Sequence, residues 1–298
     1  MHHAVPRRGL WLAFLVAAGG AGAACPPAGW TVDALKALQA QQWKLDDTAA
    51  RERLATGLLD CLRVPDPALR DDIAFGALQA WLRGGMLSAP RARGIGATLV
   101  AALRQPDADG FGPPFAALAL SEVVRADRLQ ALWTPAERQA VLDAAAAWMA
   151  SVRDHRGFEA GLGWRHAVAH GADLLLQLAL NPALDKAQLE TILGVVASQA
   201  MPPGHSYVHG ESERLARPVL FVARRGLHSE AEWTAWFTRL ATGATPAPDA
   251  PVTVDALARV HNLKGLLYPL YASVMEGNDA ALRDRLRPGL AAALRALP

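Results

Sequence analysis

The residues best suited to chemistry lie in one stretch, positions 163–175, which reads GWRHAVAHGADLL. On a helix turning about 100° per residue, His166, His170, Asp173 and Gln177 fall on one narrow polar stripe, because their spacing is i, i+4, i+7 and i+11. Trp164, Ala167, Val168, Gly171, Leu175 and Leu178 fall on the other side, as an apolar face for docking on a neighbour. A solvated face normally carries Lys, Glu and Arg; two imidazoles, a carboxylate and an amide suit a half-buried groove. Two chemistries follow. Imidazoles at i, i+4 can share a metal ion such as zinc, with Asp173, Glu211 or Glu213 as the carboxylate ligand. The residue after His166 is Ala167, so the general base of an HExxH site is missing. In the alternative the histidines bridge helices by hydrogen bonds, with Asp173 orienting one of them.

A second polar group, GESERLA at 210–216, brings Glu211, Glu213 and Arg214. The two glutamates point about 200° apart on a helix and cannot share acid and base work. Glu211 belongs at the helix start, where its charge meets the dipole, and Arg214 pairs with a carboxylate of a neighbouring helix. No nucleophile elbow and no phosphate-binding glycine loop occur. Trp43, Trp81, Trp133, Trp148 and Trp236 sit among apolar positions and read as core residues, not as a sugar-stacking surface.

The elements that must position these groups are helices. Ala, Leu and Arg are abundant, and no β-branched alternation is bounded by turn residues. Starts are marked by Asp66-Pro67, by capping boxes at Thr134–Glu137 and Ser229–Glu232, and by Thr31, Asp47, Ser88, Thr253 and Asn278. The spacing predicts eleven or twelve helices without a fixed repeat, an all-α, right-handed α/α superhelix of antiparallel helix pairs interrupted by loops at 105–114, 201–210 and 242–251.

Arg7 and Arg8 precede an apolar run over 10–18 and small residues to Ala24, the pattern of a signal peptide over 1–24 that leaves one all-helical domain over 25–298 in the periplasm. An oxidising space would join the only two cysteines, Cys25 and Cys61, and stabilise the fold by about 4 kcal/mol. The competing expectation is a lipid anchor on Cys25, which would exclude that bond. Of 30 Lys and Arg, two lie in the leader, which has no acid, so the mature chain balances its 28 Asp and Glu. A neutral chain argues against nucleic acid as partner, and no later run is long enough to span a membrane.

GWRHAVAHGADLL, together with GESERLA and Asn262–Tyr268 (NLKGLLY), resembles the bacterial family known as domain of unknown function 2785, over about residues 30–275. The family pattern is Trp-x-His-Ala-x-Ala-His-Gly-Ala-Asp, then Gly-Glu-x-Glu-Arg-Leu-Ala, then Asn before an aromatic residue. The resemblance implies an all-helical superhelix and no activity, and it adds Asn262 to the groove candidates. Arg165 stands where a small residue is usual, Ser212 replaces an acid, and 112–116 (GPPFA) replaces a basic, aromatic, Ser-containing stretch. Two functions fit. One is a non-catalytic module that binds a protein or small molecule in a groove lined by Trp164, His166, His170, Asp173, Gln177, Glu211, Arg214 and Asn262, without a cofactor. The other is a zinc-dependent hydrolase using His166 and His170.

Overall fold

The computed structural model describes residues 25–247 and 249–298; the signal sequence expected over 1–24 lies outside the described residues. The described residues form twelve α-helices and one two-stranded hairpin, the all-α fold that the sequence predicts. After α1 (Val32–Ala40), α2 (Thr48–Gly57) and α3 (Gly76–Arg83), consecutive helices alternate between two rows. One row is α3, α5 (Gly112–Leu129), α7 (Ala167–Ala179), α9 (Glu211–Arg224) and α11 (Val254–Glu276), each packed on the next. The other contains α4 (Ala89–Ala102), α6 (Pro135–Ser151) and α8 (Lys186–Gln199), followed by α10 (Glu230–Ala244) packed on α12 (Ala280–Ala296).

The capping signals act as local chemistry requires. Thr31, Asp47, Ser88 and Thr253 each accept a backbone N–H of the first turn, and Thr134 and Ser229 close reciprocal capping boxes with Glu137 and Glu232. The last helix starts one residue later than Asn278 suggests, with Asp279 as the cap. Asp66 accepts from the Ala68 N–H at 2.9 Å, but the next eight residues, Ala68–Phe75, wind as a π-helix before α3 takes over. Nothing in the sequence signals that widened turn. Two of the expected loops are displaced along the chain: the first lies between Ala102 and Gly112, and the third between Ala244 and Val254.

Trp43, Trp81, Trp133, Trp148 and Trp236 are all buried, and the Trp81 indole donates to the Trp43 carbonyl at 2.9 Å. Trp43 and Trp133 do so from loops, not from helices. A Cβ on Gly171 would lie 2.3 Å from Met149 Sδ and 3.1 Å from the Trp148 ring, so a larger residue in α7 would require the Met149 side chain at the end of α6 to shift. Cys25 and Cys61 form the expected disulfide across 36 positions, which ties the first described residue to the turn at Asp60–Arg63. A Cys25 thiol held in that bond is not available to carry a lipid.

Candidate functional site

The stripe expected from residue 166 onward on one helix is broken at its first member. Helix α7 starts at Ala167, and the residues before it belong to a hairpin in which Phe158–Glu159 pairs antiparallel with Gly163–Trp164. The ladder runs on past the strands, since the Arg165 and His166 N–H groups donate to the Gly157 and Arg156 carbonyls at 2.9 and 3.1 Å. His166 then turns the chain into the helix with φ 53° and ψ 38°. This left-handed conformation is rare for a residue with a Cβ and costs about 1 kcal/mol or more. Trp164, placed on the docking face by helical spacing, instead stands on the hairpin with 38 % of its surface exposed.

His166 nevertheless comes to lie beside His170. The two rings meet edge to face with centroids 5.8 Å apart, and Trp164 stacks on His166 at 4.4 Å. With His209, Gly210, Glu213, Arg214 and Arg217 these three line a cleft of about 410 Å³. The cleft sits where α7 and α9 begin, and both helices start from left-handed residues, His166 and Gly210, without a side-chain cap. Uncapped N–H groups carry the positive end of each helix dipole.

His166 Nε2 lies 3.1 Å from the His209 carbonyl and 3.7 Å from Glu211 Oε1. Glu211 is buried at the first position of α9, as its place near the helix start predicts, and accepts the His209 N–H at 2.9 Å. A Cβ on Gly157 would fall 2.1 Å from the His209 ring, so this glycine gives His209 its place in the cleft. His170 packs edge-on against Phe115 at 4.9 Å, and its buried Nδ1 has no hydrogen-bond partner. Of the four ring nitrogens, His166 Nε2 is engaged and His170 Nδ1 is sealed. The other two, His166 Nδ1 and His170 Nε2, have no partner among the described residues and are not sealed.

Burial holds both imidazoles neutral. It lowers the His166 pKa against the opposing pull of Glu211, and it takes His170 down to about 3, with His166 and Arg214 adding to the shift. The unfolded chain protonates near 6.5 and the folded His170 only near 3, so stability is intact above 6.5 and falls as pH drops through that window. The slope approaches about 1.4 kcal/mol per pH unit for one proton. We expect His170→Gln to flatten the fall in melting temperature between pH 7 and pH 5. An unchanged slope in a thermal unfolding series would show that another group dominates acid sensitivity.

The remaining sequence candidates divide. Asp173 does not orient a histidine; its carboxylate pairs with the Arg214 guanidinium, the neighbouring-helix pair expected of that arginine. Burial raises the Asp173 pKa and Arg214 opposes the rise. Gln177 lies further along α7, away from the cleft lining, with a buried Oε1 that has no partner. Asn262 is fully buried and serves the 201–210 loop, accepting the Tyr207 N–H at 2.7 Å and donating to the His205 carbonyl at 2.8 Å. It does not reach the cleft. Arg165, the departure from the family pattern, is buried, lies 4.4 Å over the Phe111 ring and donates to the Asp109 carbonyl at 2.7 Å, which fastens the hairpin to the loop before α5. Sequence reasoning missed His209 and Arg217 as lining residues; the four-residue spacing of His205 and His209 was visible, but only the path of the loop separates their roles.

Glu211 is committed to the His209 N–H and Asp173 to Arg214, and among the described residues no three His, Cys, Asp or Glu are grouped to hold a metal ion. No described helix is long and apolar enough to cross a membrane.

No curated protein and no solved structure matches the chain. Residues 99–272, more than half of the 298, match the family model described as "Protein of unknown function (DUF2785)" and include the hairpin, the three cleft histidines, the α9 arginines and Asn262. The chain therefore belongs to the DUF2785 family.

Proposed function

We propose that the protein is an exported, non-catalytic binding module of one folded domain, and that a small molecule occupies the cleft at the starts of α7 and α9. The observation that supports this most is the pair of unused ring nitrogens, His166 Nδ1 and His170 Nε2, on two imidazoles kept neutral in one cleft. Fixed neutral imidazoles offer hydrogen bonds without the desolvation cost of a charge. The half-exposed Trp164 supplies a flat apolar wall, and Arg214 and Arg217 supply donors. The strained backbone of His166 fits this role, because strain persists where the surroundings hold a residue in place for use. A signal peptide ending at Ala23 or Ala24 and the Cys25–Cys61 bond support export.

The test is recovery of ligand. Protein purified from its own periplasm is heated to release bound molecules, which are identified by mass spectrometry beside the His166→Gln and Trp164→Ala variants. We expect one compound at near-stoichiometric amount, retained at least tenfold more weakly by each variant, equivalent to about 1.4 kcal/mol. Equal recovery from all three proteins, or none from any, rejects the cleft as a binding site. Elemental analysis of the same untagged protein separates the zinc reading, which requires a bound metal that His170→Ala removes. An intact mass that still includes residues 1–23 would reject export.

A further inference from the structure

The histidine cleft does not end at Arg217. Glu213 and Arg217 also line a second hollow of about 390 Å³, which continues along α9 between α7 and α11. Its walls are Leu176 on α7, Leu220 and Phe221 on α9, and Leu270 on α11. The continuity follows from helix geometry: 213, 217, 220 and 221 are spaced i, i+4, i+7 and i+8 and share one face of α9. The polarity changes within one turn, from Glu213 and Arg217 to Leu220 and Phe221. The apolar walls are left partly open, since Leu176, Leu220 and Phe221 are only half-buried.

The junction carries an available cation. Arg217 is about half exposed, and its partner is Glu213 of the same helix, itself 59 % exposed and 3.3 Å away. Pairs of that kind are weak and screened, so an incoming anion can recruit the guanidinium. The uncapped start of α7 at the polar end, with no acidic residue in its first turn, also favours negative charge. A groove with a cation at the junction, neutral hydrogen-bonding imidazoles at one end and aliphatic and aromatic walls at the other matches one ligand shape.

We propose that the ligand of this groove is a single-chain amphiphile with an anionic head. The head occupies the histidine cleft against Arg217, and the hydrocarbon chain lies in the hollow along Leu176, Leu220, Phe221 and Leu270. The assignment rests on the cleft being a binding site and adds the class of molecule that it takes.

Calorimetric titration of the oxidised protein with dodecanoate, butanoate and dodecyltrimethylammonium tests each half of the idea. We expect dodecanoate to bind at least tenfold more tightly than either of the others. Leu220→Asn and Leu176→Asn, at half-buried positions and with folding checked by circular dichroism, should each weaken dodecanoate at least fivefold without changing butanoate. Arg217→Gln should weaken both anions and erase the preference over the cation. Equal affinity for dodecanoate and butanoate, with the leucine variants neutral, overturns the amphiphile assignment and leaves the cleft reading standing. Dodecanoate binding that the leucine variants abolish but Arg217→Gln and His166→Gln leave untouched overturns both. A failure of dodecanoate to bind at all overturns the amphiphile assignment, and ligand recovery from the periplasm then decides the cleft by itself.

Discussion

Asp127→Ala is expected to lower stability by about 3–5 kcal/mol, the range for breaking a buried ion pair by removing one member. In a chain of this size that corresponds to a fall in melting temperature of roughly 6–15 °C. The carboxylate is buried at the end of α5 and serves four donors. Arg138 approaches with Nε at 2.7 Å and with a second nitrogen at 3.0 Å, the Leu132 and Trp133 N–H groups donate at 2.9 Å each, and Asn181 Nδ2 donates at 2.9 Å. Truncation leaves all of them inside the protein without that acceptor, with the Arg138 charge uncompensated. Burial pushes the Asp127 pKa up, but the Arg138 bond and the backbone donors outweigh it and the net shift is downward. A depressed carboxylate contributes stability that is complete above the unfolded value near 4 and is lost as pH falls through the lower folded value. Acid unfolding monitored by circular dichroism should therefore begin at higher pH in Asp127→Ala than in the wild-type chain, because the variant lacks this contribution while the cost of protonating His170 remains. A loss below 1 kcal/mol in Asp127→Ala would show that water replaces the carboxylate at this node.

The second large effect is expected at Arg70, a fully buried guanidinium on the π-helical turn before α3. It donates to the Val64, Pro65 and Leu162 carbonyls at 3.1, 2.9 and 2.8 Å. Its carbon lies 4.0 Å from the Phe111 ring centroid and 4.7 Å from that of Phe115. Asp71 brings Oδ1 within 2.7 Å of Nε, misaligned for a hydrogen bond, so this contact is a charge interaction. Arg70→Met keeps much of the volume and removes every donor. We expect a loss of about 3–5 kcal/mol, from three orphaned carbonyls at about 1–3 kcal/mol each with partial relaxation. Because Leu162 lies in the hairpin that carries Trp164, the variant should also change Trp164 emission and weaken ligand recovery. Unchanged stability with weakened binding would show that the residue only positions the hairpin; full stability and full binding would remove it from both roles.

Most helix starts closed by a short polar side chain were legible, because that bond is local and each partner is three residues away. Thr31, Asp47, Ser88, Thr134, Ser229 and Thr253 all fall in this class. Asp185, which closes a capping box with Gln188 at the start of α8, was missed. The start of α9, uncapped after Gly210, was placed by Glu211; the start of α7 was not legible, since no side chain caps it and a left-handed residue at 166 replaces the local signal. That is why a pattern of helical spacing ran three residues too far back and put Trp164 on the wrong surface. The pairing of His166 with His170 survived the error only because the left-handed turn folds the first ring back over the second. The partners of Asp173 and Asn262 lie 41 and 55 residues away, and a single chain's periodicity carries nothing about contacts at that range.

Arg70 also bears on how the molecule can be divided. The matched family region runs from residue 99 to 272, yet the cation that braces the hairpin at Leu162 comes from residue 70. A fragment trimmed to the family limits would retain all three cleft histidines while losing the brace beneath the hairpin. It would also strip one face of Phe111, leaving Arg165 as the cation over that ring. Boundaries for expression and for comparison with relatives should therefore be drawn around the first three helices as well as the region that the relatives share.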